Sequence, residues 1–241
     1  ARSHRGAIAE LQVDEAGAIN SSQIPPGSVL SLQLANGETG VVQDSEALAG
    51  LSQFVAIDAT SSGARVQLPD HWDTALFDAR SWHGPGGLAI LAINNQSQYA
   101  YPLPRIAPIK SPGTYSLPLL IAASVALENF TIEEPTLREF ALSALAAIPG
   151  VRVVAPEAPS LPNVFSIVVD GINGEHLVRE LSARAIDVDS GSACSPADLQ
   201  PSHVLAAMGY PTDGHLLITL KSGMTRDDIA ALTKALIEIT S

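Results

Sequence analysis

The chain has 241 residues, of which 46% are hydrophobic and 16% charged, and its 13 basic against 25 acidic side chains leave a formal net charge of −12. That balance supports a buried core and argues against disorder, while the acidity makes the chain a poor binder of nucleic acid, whose phosphates it would repel. A single cysteine, Cys194, excludes an internal disulfide and a cysteine metal cluster, and the six histidines lack metal-ligand spacing. The longest apolar stretch, LPLLIAASVALENF (117–130), is too short to span a bilayer. The opening ARSHRGAIAE lacks the apolar core of a signal peptide. A soluble, cytoplasmic protein without metal, membrane or nucleic-acid partner is expected.

In chain order, the first half alternates short apolar runs with turns. AIAELQV (7–13), SVLSLQLA (28–35), FVAIDA (54–59), TALFDA (74–79) and GLAILAI (87–93) read as strands. Several are almost continuously apolar, as strands covered on both faces are. SEALAGL (45–51) fits a short helix between them, and the pattern is that of a mostly parallel α/β sheet. YPLPRIAPIKSPGTYSLP (101–118) is proline-rich and aperiodic, and reads as a crossing loop and domain boundary. Two helices are expected next, one from about Leu117 and one over 133–147.

The remainder reads as an α+β unit. Strands are expected at 151–156 and 163–171, an amphipathic helix at 174–185, and a strand at 186–195 entering a loop of small residues. Ser195, Pro196 and Asp198 have the spacing of a helix start. A short helix at 201–209 ends at Gly209, and a strand follows at 215–221. The last helix starts at Thr225, with Asp228 in capping-box position and a stripe of Ile229, Leu232, Leu236 and Ile239. The expected division is 1–116, a partial large domain, and 117–241, a C-terminal small domain with the interdomain helix.

Six segments resemble, in order, those of the cysteine desulfurases, fold-type I enzymes of the class-V aminotransferase group. They are LANGETGVVQ (34–43), IDATSSGA (57–64), HGPGGLAIL (83–91), SPGTYSLPLL (111–120), LPNVFSIVVDG (161–171) and SGSACSPADLQPSHVLAAMG (190–209). The resemblance implies a pyridoxal-phosphate fold in which a lysine holds the cofactor, an aspartate pairs with its pyridine nitrogen, and a loop cysteine carries sulfur as a persulfide. It also implies a family N-terminal region, before AIAELQV, to which only six residues correspond here.

Carried over residue by residue, the resemblance keeps Asp58 for the pyridine-pairing aspartate and Cys194 for the sulfur carrier. Elsewhere the family's chemistry is replaced. Ser81 stands for the lysine, Arg80 for the histidine before it, and Asp78 for a phosphate-binding serine. Gly37 stands for a cofactor-contacting asparagine, Ser61 for a glutamine, and Leu217 for the carboxylate-binding arginine. Asp58, Ser61, Arg80, His83 and Thr114 form the vestigial cofactor set.

A hydroxyl cannot form an imine, so the expectation is a non-catalytic relative without pyridoxal phosphate, paired as a homodimer or with a family-related chain. Local readings accompany it: Asp58 caps the turn after its strand, Asp78 and Arg80 form an ion pair, and Trp82 and His83 pack the turn. The alternatives are a working desulfurase completed by Lys110 or a partner's lysine, and a sulfur relay through Cys194.

Overall fold

The structure, a computed structural model, describes residues 6–45, 47–48, 50–98, 115–190 and 201–240. It divides into two compact units: Pro26–Asn36 with Asp44–Glu133, and Ala1–Pro25 with Gly37–Gln43 and Glu134–Ser241.

The first, the parallel-sheet unit, holds β1 (Val29–Gln33), β2 (Phe54–Asp58), β3 (Thr74–Asp78) and β4 (Ala89–Ile93), hydrogen-bonded in that order. β1, β2 and β3 are parallel, and β4 returns antiparallel to β3 with Phe77 opposite Ile90. Side chains alternate across a strand. Leu30, Leu32, Val55, Ile57 and Ala75 are therefore buried together, while Val29, Phe54 and Leu76 stand exposed on the other face. Helix α1 (Leu117–Glu128) has Pro118 in its first turn, and the Trp82 indole donates to the Ala123 carbonyl at 3.1 Å.

The C-terminal unit holds α2 (Pro135–Ala146), β5 (Val151–Val153), β6 (Val164–Val169), α3 (Gly174–Ser182), α4 (His203–Ala207), β7 (His215–Thr219) and α5 (Arg226–Thr240). The sheet β5–β6–β7 is wholly antiparallel. Phe165, Ile167, Val169, Leu216 and Ile218 meet Leu145, Leu177, Leu181, Ile229, Leu232 and Leu236 of α2, α3 and α5 in one core. Thr225 donates through its amide and hydroxyl to the Asp228 carboxylate at 2.7 and 2.9 Å, the expected cap of α5. Asn173 caps α3 and Ser202 caps α4.

The units differ from the expected cut at 116/117. α1 groups with the parallel sheet, and residues 1–25 and 37–43 group with the C-terminal unit. No strand forms over 7–13; Val13 makes only an isolated bridge with Ile19. Asp14 closes that turn instead, its carboxylate accepting from the Ala18 amide at 2.9 Å. The helix expected at 45–51 does not appear among its described residues, where Leu48 donates to the Ser45 carbonyl and Leu51 to the Leu48 carbonyl in turns. Seven residues are too few to offset the cost of helix nucleation without an anchoring face. The strand expected from 186 reduces to a single bridge between Asp189 and Leu217, and the helix start at Ser195 lies outside the described residues. Among the described residues no helix is long and apolar enough to cross a membrane.

Candidate functional site

Parallel strands present their carboxyl ends, and the loops beyond them, on one side of a sheet, where α/β proteins bind ligands. β2 and β3 end here in Asp58 and Asp78. The Asp58 carboxylate, through Oδ1, accepts from the Thr60 amide at 2.9 Å and the Thr60 hydroxyl at 2.6 Å. Those bonds close an Asx turn, so one Asp58 oxygen is engaged by its own loop. Ser61 follows on the same turn, half-buried.

Beyond β3 the chain enters a 3-10 turn, Ala79–Trp82, capped by Asp78 through the Arg80 amide at 2.9 Å. The Arg80 guanidinium also reaches back, with Nε 3.0 Å and Nη2 2.6 Å from Asp78 Oδ2. This hydrogen-bonded guanidinium outweighs the effect of burial and holds the Asp78 carboxyl below the usual carboxylate range. Ser81 Oγ donates to the Asp78 carbonyl at 2.6 Å. Its hydrogen is therefore committed to the turn's own backbone.

The turn after β2 packs directly on this one. Gly63 has φ +54°, and a side chain there would collide with the Ser81 hydroxyl. Two residues on, Arg65 is almost fully buried, at 3% side-chain exposure. It donates to the Ser81 carbonyl, binds both carboxylate oxygens of Glu133, and lies 4.9 Å over the Phe130 ring. Burial would raise the Glu133 carboxyl, but the Arg65 guanidinium, Glu133's own backbone amide and His83 together keep the group below its ordinary range. His83, in the left-handed region at φ 66°, closes the cluster, its ring edge-on to Phe130 at 5.5 Å and Nε2 3.9 Å from Glu133. Trp82 is buried against α1, but His83 is 54% exposed on the side chain, so only the tryptophan packs the turn's interior.

The structure thus gathers Asp58, Ser61, Arg80, Ser81 and His83 onto two adjoining turns. Gly37 and Leu217 lie in the C-terminal unit, where half-buried Leu217 exchanges backbone bonds with Asp189. Cys194, Thr114 and Lys110 lie outside the described residues. Among the described residues no group of three or more His, Cys, Asp or Glu side chains could hold a metal. Arg65, Phe130 and Glu133 had no sequence signal, because 68 residues separate the ion pair's partners.

A sequence profile of the family "Aminotransferase class-V" matches residues 112–232, half of the chain. The chain belongs to the class-V aminotransferases. It is 26% identical over 226 residues to a cysteine desulfurase of Klebsiella pneumoniae, covering 85% of this chain and 57% of that one. It is 30% identical over 208 residues to a cysteine desulfurase of Sinorhizobium fredii, covering 76% and 52%. A solved NifS-like protein superposes with TM-score 0.80 at 24% identity, covering 98% of this chain and 68% of its own. This class-V chain is a cysteine desulfurase relative that spans little more than half the length of the curated proteins it matches.

Proposed function

We propose that this chain is a non-catalytic relative of the cysteine desulfurases, which does without pyridoxal phosphate and acts in the cytoplasm by binding a second copy of itself or a related chain. Ser81 carries the reading. It stands at the position of the family's lysine, donates its hydrogen to the Asp78 carbonyl and packs against Gly63. The other groups do not fit the cofactor either. At the phosphate-binding position Asp78 offers an anion, already occupied by Arg80. None of the described residues of the parallel-sheet unit is a lysine, and Lys221 and Lys234 belong to the other unit.

The binding role draws support from α1. The helix has no charged residue before Glu128 and is apolar all round, a composition normally found buried. Yet Leu117, Ile121 and Val125, at four-residue spacing along one stripe, are each more than half exposed. A patch of this kind marks an interaction surface.

Three experiments test the reading and its alternatives. Purified protein titrated with pyridoxal phosphate is expected to gain no borohydride-fixable adduct on any peptide. A fixed adduct on Lys110 would favour the working-enzyme alternative. Size-exclusion chromatography with light scattering is expected to give a dimer, and a monomer at all concentrations would remove the self-pairing. Mass spectrometry after incubation with an active desulfurase and cysteine reads the relay alternative: Cys194 is expected to stay unmodified.

A further inference from the structure

Gly37–Gln43 is a seven-residue excursion. The chain leaves the parallel-sheet unit after Asn36, folds as part of the C-terminal unit, and returns at Asp44. Backbone bonds stitch it down: Leu161 donates to the Gly40 carbonyl and Val42 to the Pro159 carbonyl, both at 2.8 Å. Val41 joins Val154, Val168, Leu205 and Met208 in an apolar cluster. Gly40, at φ +76°, lies so close to the Val164 carbonyl that any side chain would strike it.

A buried polar network holds the excursion's start. The Glu38 carbonyl accepts from Ser166 Oγ on β6. The Glu38 carboxylate accepts from Ser202 Oγ at 2.5 Å, and Ser202 Oγ in turn accepts from the Leu205 amide at 3.1 Å as the cap of α4. Ser166 Oγ also lies 2.8 Å from His215 Nε2 on β7. Ser166 is 0% and His215 1% exposed.

Counting hydrogens assigns the tautomer. A serine hydroxyl has one hydrogen. Ser166 gives it to the Glu38 carbonyl, so it can only accept from His215. Nε2 therefore carries the imidazole hydrogen, and in the neutral ring Nδ1 carries none. A further proton would create a buried cation. Burial lowers the His215 pKa, and the Glu38 carboxylate opposes this without overcoming it. Among the described residues, the other charged or titratable groups on α3 and on the turns beside β7 are Glu175, His176, Arg179 and Glu180 of α3, Asp170 after β6, Asp189 opposite Leu217, and Asp213 in the preceding turn; all are exposed except half-buried Glu180.

We propose that Glu38, Ser166, Ser202 and His215 form a proton-sensitive latch that docks Gly37–Gln43 on the C-terminal unit and releases it when His215 is protonated. The latch does not rest on the loss of pyridoxal phosphate and would operate with or without it. Its failure and the failure of that reading are read by different measurements.

Hydrogen exchange of the full chain between pH 7.5 and 5.0, corrected for intrinsic rates, tests it. An opening that wets His215 takes up one proton, so its population rises by up to about tenfold per pH unit below a histidine's ordinary pKa of about 6.5. Amides of 37–43, Val42 above all, should lose about fivefold protection between pH 6.5 and 5.5, while amides of α5 keep theirs. His215→Gln keeps a donor toward Ser166 but cannot titrate, so its profile should be flat. A flat wild-type profile, or the same fall in H215Q, overturns the latch. Ser202→Ala keeps the proposal testable should H215Q fail to fold. It is expected to lower protection of 37–43 at every pH while the pH step remains, and unchanged protection counts against the latch. Histidine-selective 15N NMR at pH 7.5 should show His215 as the Nε2–H tautomer; the Nδ1–H form would overturn the assignment.

Discussion

The two sheets of this protein reverse the usual relation between strand direction and cover. In the C-terminal unit an antiparallel sheet, which could leave one face in water, is covered on both. Phe165, Ile167 and Val169 point into the core under α2, α3 and α5, and Val168 points the other way, against Val41 and Leu205. In the other unit three parallel strands, of a kind normally buried on both faces, leave Val29, Phe54 and Leu76 exposed, as does the antiparallel β4 at Leu91. The polar groups follow suit. Those of the covered sheet form a buried network around Glu38, whereas those at the ends of β2 and β3 are bonded mostly within their own turns. A sheet bare on one face, with its loops turned in on themselves, is an observation that supports the proposed binding of another chain.

The largest test of this contrast is core truncation. Phe165→Ala or Leu216→Ala should cost about 3–5 kcal/mol by urea denaturation, because each leaves a cavity in a fully packed core. Val29→Ala and Leu91→Ala should stay within about 0.5 kcal/mol for the isolated chain, since little is buried there. Equal costs in the two units would break the comparison.

Next comes the strongly buried Arg65–Glu133 ion pair of the bare-faced unit. Arg65→Ala should cost about 3 kcal/mol, because Glu133, only 13% exposed on its side chain, loses the cation that compensates it. Replacing both partners by apolar residues, as in Arg65→Met with Glu133→Leu, should cost much less. A double variant no more stable than Arg65→Ala would count against this account.

The pH dependence separates the units more gently. His215 has a lowered pKa in the fold, so below about pH 6.5 the unfolded chain binds more protons and stability falls with pH. Asp78 and Glu133 are also lowered, so the stability they contribute is present above about pH 4 and is lost as pH falls further, through their folded values. Urea midpoints from pH 7.5 to 3 should therefore decline in two stages. His215→Gln should remove the first and leave the second; loss of both, or of neither, would reject the assignment.

The smallest effects belong to the exposed turn. Asp78→Ala should cost on the order of 1 kcal/mol, because it removes the cap of the 3-10 turn. Arg80→Ala, which trims a guanidinium 73% exposed on its side chain, should leave the urea midpoint unchanged. An Arg80 effect as large as that of Asp78 would show the ion pair, rather than the cap, to be what holds the turn.

Much of the fold was legible because its signals are local. The apolar runs at 54–59 and 74–79 became β2 and β3, and Thr225 with Asp228 capped α5 as their spacing required. Asp58 closed its own turn, and Asp78 paired with Arg80 two residues away. The misreadings have the same origin. AIAELQV has a strand's composition, but a strand also needs a partner, and only Val13 found one. SEALAGL has helix-forming residues without an anchoring face, and its described residues lie in turns.

By itself the sequence determined most of the strands and helices, the cap of α5, and that a hydroxyl occupies position 81. These depend on neighbours within a few residues, where side-chain periodicity and hydrogen-bonding reach suffice. Tertiary structure alone decided that Arg65 meets Glu133, that Gly37–Gln43 docks on the C-terminal unit, and that Ser166 and His215 share a hydrogen bond. Those pairings join residues far apart in the chain, and they exist only because the backbone returns to bring them within bonding distance.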